Sequence, residues 1–398
     1  GVFRSTNFGD TYQDANTGLL TSQFYNGFSN SGTDSLMAMG QVQDHFGYKY
    51  IGSLSWPSGA VDEVGWTAIN QQNDMIQYAG NRGGGSISKS TDRGVVFRTS
   101  SAGISGGVSC WNTPFGLSKS NPNILYFGRS IIFKTTNAAA SWTGTNGGAA
   151  LDGNPSLCLS VAPTNPDTVF VGTVPGTVRP HVFRTTNGGT SWTDVTGTLP
   201  NRYYLDLAVD PNNSRVVHTA IGGFDTTRVA KSTNAGLSWT DISGTLPNVP
   251  TTAMALDPLN SNHVYVGNDL GVYVSTNGGT SWMSFNDGFP EAVILADLVL
   301  SPSNRVLRAA THSNGVYERK LLSATTDVAE RHETPIGFKL EQNYPNPFNP
   351  STTIEFTLAG SLAGELFVLL TVFDVTGKEI RNLINNPMQP SLYKKTFD

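Results

Sequence analysis

Short apolar stretches with strand-like alternation recur along roughly the first 320 residues, and most are followed by a polar turn of nearly constant wording. One unit reads Leu205 to Val209, a turn at Asp210-Pro211-Asn212, Val216 to Ala220, and then the apolar-x-basic triplet Val229-Ala230-Lys231. The next repeats it with Ala253 to Leu256, Asp257-Pro258 and His263 to Val266. Pro and Asx residues favour the tight turn between the first two strands. We label the strands of a unit A, B, C and D from first to last.

The polar turn falls between strands C and D. Its six copies run from Ser5 to Tyr12, Ser90 to Phe97, Thr135 to Trp142, Thr185 to Trp192, Ser232 to Trp239 and Ser275 to Trp282. The third position is Asn7, Asp92, Asn137, Asn187, Asn234 or Asn277. An Asn or Asp there can hold the turn's amides, a Gly supplies a left-handed conformation, and Trp142, Trp192, Trp239 and Trp282 can wedge between neighbouring sheets. An Asn holds a turn but cannot serve as a general acid, so these positions are structural. Copies 43 to 50 residues apart, with one double gap of 85, indicate stacked four-stranded units of the propeller kind.

The A-B pairs centre near residues 19 to 40, 64 to 80, 112 to 128, 157 to 172, 205 to 221, 253 to 267 and 295 to 311, which predicts seven blades. The first has Tyr48 to Ile51 and Trp56 in place of a turn copy, and the seventh ends on the C strand Gly315 to Arg319. The chain opens on another C strand, Gly1 to Arg4, so the simplest closure has residues near 10 to 18 completing the last blade. A start in mid-repeat also suggests a processed or partial product of something longer. The six turns resemble the Asp boxes, or BNR repeats, of sialidases, sortilin-type receptors and xyloglucanase-type glycoside hydrolases. Five of the six carry Asn where that family has Asp, and the third has no glycine. The resemblance implies the fold, and since one propeller hosts enzymes and binding proteins alike it leaves function open.

Near residue 321 the repeats stop, and residues 321–336 read as a polar linker. Residues 337–398 then begin with Tyr344, Pro345, Asn346, Pro347, Phe348, Asn349 and Pro350, followed by the strand Ser351 to Leu358, a hairpin signal over Thr371 to Ile380, and Tyr393 to Phe397. This stretch is similar to the type A C-terminal sorting domain of the type nine secretion system of Bacteroidota and related Gram-negative bacteria. That similarity implies a small immunoglobulin-like β-sandwich that takes its cargo across the outer membrane, and family members usually continue for another pair of strands. The expected whole is therefore all-β: a seven-bladed β-propeller over 1–320 plus a C-terminal sandwich, secreted or displayed on the outer cell surface.

Composition agrees, with 14% charged residues, 43 Gly and 21 Pro. A net charge of −5 implies no nucleic-acid partner, and no apolar run reaches membrane-spanning length. No signal peptide stands at Gly1, which in a secreted protein would mean that it has been removed. Cys110 and Cys158, near the A strands of adjacent blades, are either a disulfide or two buried thiols. No zinc spacing, P-loop, dinucleotide fingerprint or nucleophile elbow is present, so no metal or cofactor is implied.

Ligand chemistry belongs at the loops opposite the boxes. Four successive B-to-C loops carry Arg82, Arg129, Arg179 and Arg228, which can clamp a carboxylate or sulfate or else be solvated and neutralised locally. Trp56, Trp66, Trp111, Tyr203 and Tyr204 lie outside the boxes, where rings stack on sugars or pack the core. Asp44, Asp62, Glu63, Asp225 and Asp269 are the mouth carboxylates from which a glycosidase would need a pair. None sits in a recognisable catalytic motif, and the sialidase arginine-rich N-terminal signature is missing. The reading is a non-catalytic binding or adhesion module for extracellular glycans or surface proteins, with a glycoside hydrolase and a structural surface protein as alternatives.

Overall fold

The computed structural model describes residues 2–15, 22–59, 62–63, 65–176, 178–290, 293–322, 339–344, 346, 350–358, 366–374, 378–389 and 391–397. The chain divides into two compact units, Gly1–Ala324 and Thr325–Asp398. The linker expected at 321–336 lies outside the described residues except for Leu321 and Leu322, as do Pro345, Pro347, Phe348 and Asn349.

The first unit is a series of antiparallel meanders in chain order. Among the described residues the first sheet holds Ser29–Asn30, Ala38–Gln41 and Gly47–Tyr50. Four four-stranded sheets span Thr67 to Thr99, Phe115 to Gly144, Ser156 to Asp194 and Tyr204 to Asp241. The sixth has Thr251–Leu256, Val264–Asn268, Gly271–Ser275 and Met283–Ser284, and the seventh Leu295–Ser301, Val306–Thr311 and Val316–Lys320. Each sheet's first strand lies against the first strand of the next, and Leu295–Ser301 returns to Ser29–Asn30. The B strands are buried along both faces, as in Val169–Thr173 and Val264–Asn268, because each sheet is covered by neighbours on two sides. The fold is that of a β-propeller.

The boxes close the C-to-D turns by one hydrogen-bond scheme. In the last copy Ser275 Oγ donates to Asn277 Oδ1 at 2.9 Å, while the Gly279 and Ser281 amides donate to Ser275 Oγ and Asn277 Oδ1. Asn277 Nδ2 then donates to Ser281 Oγ at 2.8 Å. The same amide-to-hydroxyl bond links Asn7 to Thr11, Asn137 to Ser141, Asn187 to Ser191 and Asn234 to Ser238. The one box with Asp has Val96 four residues on, so no hydroxyl is there to receive an amide. Asn therefore replaces Asp where the fourth following residue is Ser or Thr. The indoles reach back to the preceding sheet: Trp142 Nε1 donates to Ser100 O, Trp192 to Thr145 Oγ1, Trp239 to Val195 O and Trp282 to Ile242 O.

The closure differs from the expectation. Gln13–Asp14 pairs with Phe3–Arg4 in a separate two-stranded sheet, not with Val316–Lys320. A box turn joins those two short strands directly, which makes their pairing local, whereas the seventh sheet is more than 300 residues away in sequence. Side chains join the seventh sheet to the first instead. Arg308, only 2% exposed, donates to Asn30 Oδ1 and Ser35 O, and Asp297 Oδ2 accepts the amides of Gly27 and Phe28.

The second unit contains a three-stranded sheet ordered Lys339–Leu340, Thr352–Thr357 and Leu392–Phe397, and a long hairpin of Leu366–Phe373 with Glu379–Met388. Phe356 and Leu358 are buried in it, and Phe356 stacks on Tyr393 at 5.5 Å.

Candidate functional site

An antiparallel meander puts A-to-B turns and boxes at one end and the B-to-C and D-to-A loops at the other. The second end gathers most of the sequence candidates. Arg82 lies in the turn Arg82–Gly84 and is ion-paired to Glu63, while its amide donates to Asp62 Oδ2. Arg129 donates to Gly107 O at 2.9 Å, and Arg179 to Leu199 O at 3.0 Å. The Arg228 amide donates to Ser243 Oγ, and its charge helps lower the pKa of Asp241. Each arginine is thus engaged with its own neighbourhood rather than with another of the four. Asp225 and Asn248 clasp each other across two loops, and Asp44 is exposed at the tip of the Gln41 to Gly47 turn. Asp269 is held above the usual carboxylate range by burial.

The aromatics part company. Trp56 packs among Phe24, Phe28 and Tyr50 in the core of the first sheet, and Tyr204 is fully buried. Trp66 is half-buried against the core of the second and third sheets. Trp111, by contrast, is 45% exposed, and Tyr203 is exposed as well. Trp111 meets Tyr25 edge to face at 5.1 Å. Tyr25 is fixed in turn by its hydroxyl, which donates to Gln43 Oε1 at 2.6 Å, and by the His312 ring at 5.6 Å. Gln23 Nε2 lies 2.9 Å from both Gln43 Oε1 and His312 Nε2. This cluster joins the first, third and seventh sheets. Sequence reasoning missed Tyr25, Gln23, Gln43 and His312, because no box marks the first sheet and the partners are up to 289 residues apart.

Asn26, next to Tyr25, ties the cluster to further sheets. Asn112 Nδ2 donates to Asn26 O, and Asn26 Nδ2 to Leu205 O, linking the segment before the first sheet to a loop of the third and to the innermost strand Tyr204–Val209 of the fifth. Along the innermost strands runs a cavity of about 300 Å³, lined by small residues such as Ala68, Gly116 and Ser160 together with Asp206 and Asp297. Burial pushes the Asp297 carboxyl up to about 6, against three amide hydrogen bonds that favour its charge. Burial and the charge of Asp297 raise Asp206 well above the usual range too. Both carboxyls are committed to backbone: Asp206 accepts the Leu207 and Met254 amides, so they act as staples between inner strands.

Further out, His181 Nδ1 lies 2.9 Å from Asp152 Oδ2, which also accepts from Thr173 Oγ1. Among the described residues no group of three His, Cys, Asp or Glu side chains is placed to hold a metal ion. Cys110 and Cys158 are free thiols, and burial pushes both up, Cys110 to about 11. No helix among the described residues is long and apolar enough to cross a membrane.

No family model matches the sequence, and no curated protein matches it either. Solved structures do match. The GH74 enzyme of Niastella koreensis superposes with a TM-score of 0.60 at 18% identity, over 85% of this chain and 58% of its own. The GH74 xyloglucanase of Xanthomonas campestris gives 0.60 at 13%, over 77% and 53%. YCF48 from Cyanidioschyzon merolae gives 0.57 at 12%, over 76% and 96%. The chain thus spans little more than half the length of those two GH74 enzymes. At these identities the similarity establishes the propeller fold, which glycoside hydrolases share with YCF48, and nothing about this chain's ligand.

Proposed function

We propose that residues 1–320 are a seven-bladed Asp-box propeller, secreted or held at the outer cell surface of a Gram-negative bacterium, that binds an extracellular glycan or surface protein without turning it over. The observation that carries this reading is the exposed Trp111 indole, propped edge-on by Tyr25, which Gln43 and His312 hold in place. A flat ring fixed before the ligand arrives loses little entropy on stacking against a sugar face. Arg82, Arg129, Arg179 and Arg228, on the B-to-C loops of the second to fifth sheets at the same end, offer donors to an acidic ligand group. Their present partners, Glu63 and main-chain carbonyls, supply the exchange such a ligand would make. Glycan-array binding by the propeller, repeated for Trp111→Ala, tests the reading. Unchanged binding by that variant would move the site elsewhere.

A glycoside hydrolase is the second reading, favoured by the GH74 structures and by the raised carboxyl of Asp269 one loop from Asp225. Release of reducing sugar that Asp269→Asn or Asp225→Asn abolishes would establish it. We further propose that residues 337–398 are a sorting sandwich read by the type nine secretion machinery. The motif from Tyr344 to Pro350 and the antiparallel strands among the described residues of the second unit support this. Deleting residues from Ser323 onward should leave a cooperatively melting propeller that stays in the periplasm, and secretion unaffected by the deletion would refute it.

A further inference from the structure

The innermost strands share one register, with a small residue opposite a large one. Ser29 opposes Met39, Ala68 opposes Tyr78, Gly116 opposes Tyr126, Ser160 opposes Phe170 and Ala208 opposes His218. The larger residue of each pair is fully buried and the smaller lines the cavity, which leaves a bore of about 300 Å³ along these strands. Its two ends carry opposite charge. Near the mouth end stand Asp206 and Asp297, close to the starts of Tyr204–Val209 and Leu295–Ser301. At the box end stands Lys119, in the turn after Phe115–Leu117. The Ser118 amide donates to Ile124 O as the Asp210 amide donates to Val216 O, so Lys119 takes the place that Pro211 has in the fifth sheet. The stretch from Asp206 to Pro211 covers about 16 Å of extended chain.

Among the described residues Lys119 has no hydrogen-bond or ion-pair partner. It is exposed, yet burial among the turns holds its ammonium below the usual lysine range. Asn30 lines the same cavity at 5% exposure, and its Nδ2 has no partner either. Gln71 Nε2 donates to Asn30 O, so the first two sheets are tied together at this end of the bore.

We propose that the bore binds a linear zwitterion, an unbranched ω-aminocarboxylate, with its carboxylate on Lys119 and Asn30 Nδ2 and its ammonium toward Asp206 and Asp297. An anion at Lys119 supplies the partner that an ammonium set among protein atoms lacks. Asp206 and Asp297 already accept backbone amides, but each carboxylate oxygen keeps a second lone pair for a cation. A wholly anionic ligand would meet both carboxyls, and a wholly cationic one would meet Lys119, so only a ligand with unlike ends is attracted at both. Between the ends, Ala68, Gly116 and Ala208 suit a methylene chain. This site lies inside the ring of sheets and is independent of the exposed Trp111 indole.

Calorimetric titration of the full chain with unbranched ω-aminocarboxylates of increasing length, beside n-alkanoates and n-alkylamines of the same lengths, tests the proposal. The expected result is an affinity that peaks at one length, with both monofunctional series at least tenfold weaker. Lys119→Gln, a change at an exposed turn residue, should weaken the zwitterion at least tenfold without weakening the alkylamine. Lys119→Glu should reverse the preference, so that n-alkanediamines bind and ω-aminocarboxylates do not. Absence of binding at every length, or binding that both Lys119 variants leave unchanged at matched Tm, would overturn the proposal. So would alkylamines that bind as tightly as the zwitterions, which would reduce the site to a cation held by the two carboxyls.

Discussion

Asp297 and Phe28, 269 positions apart, are joined by a 2.8 Å hydrogen bond from the Phe28 amide to Asp297 Oδ2. The same oxygen accepts the Gly27 amide at 2.7 Å, and Oδ1 accepts that of Leu298. One carboxyl thus fastens the innermost strand of the last sheet to that of the first. Asp206 repeats the device toward Met254.

Removing that fastening should be costly. Asp297→Ala leaves buried amides without an acceptor, at about 1 to 3 kcal/mol for each. Because burial lifts the folded carboxyl from 3.8 to about 6, its proton is bound more tightly in the fold than in the open chain. The associated stability is present below pH 4 and is lost as pH rises through 6, by at most about 3 kcal/mol. The difference in unfolding free energy between the natural chain and Asp297→Asn, followed from pH 4 to 7, should show that decline.

His218 works in the opposite sense. It is fully buried on Val217–Ile221 at the place occupied by Tyr78, Tyr126, Phe170 and Tyr265 in other sheets, and neither ring nitrogen has a hydrogen-bond partner. Burial, then the charge of Lys231, pushes it down to about 3. The unfolded chain therefore takes up a proton below pH 6.5 that the fold refuses, and stability falls as the medium is acidified. His218→Phe should stabilise by about 1 to 2 kcal/mol at pH 7 and by about 2 kcal/mol more at pH 5, measured by denaturant unfolding.

The boxes yield a paired prediction. Asn187→Asp removes the donor to Ser191 and should cost about 1 kcal/mol. Asp92→Asn gains no such partner because Val96 faces it, and adding Val96→Ser should recover stability by creating one. Thermal melting of the three variants beside the natural chain checks the sign of each step.

The box turns and the strands beside them were legible because their information is local and repeated. Val229–Ser232 falls where the apolar-x-basic triplet Val229-Ala230-Lys231 puts it. The reason for the Asn-for-Asp exchange, a hydroxyl four residues on, came only with the hydrogen bonds of the folded turn. The closure by residues near 10 to 18 was misread because Val2-Phe3-Arg4 and Val316-Tyr317-Glu318 follow one pattern, and the pattern cannot say which of them Gln13–Asp14 pairs with. Tyr25, Trp111 and His312 meet only through ring closure, which no window of sequence reports.

The central claim, a binding surface centred on Trp111, is tested most directly by glycan-array binding of the isolated propeller beside Trp111→Ala, Arg129→Ala and Arg179→Ala at matched Tm. The account predicts binding that Trp111→Ala weakens at least tenfold and the arginine variants weaken for acidic glycans, with no reducing sugar released. A stacked base or sugar contributes about 1 to 3 kcal/mol, which sets that scale. Binding indifferent to all three substitutions, or turnover that Asp225→Asn or Asp269→Asn abolishes, would contradict it.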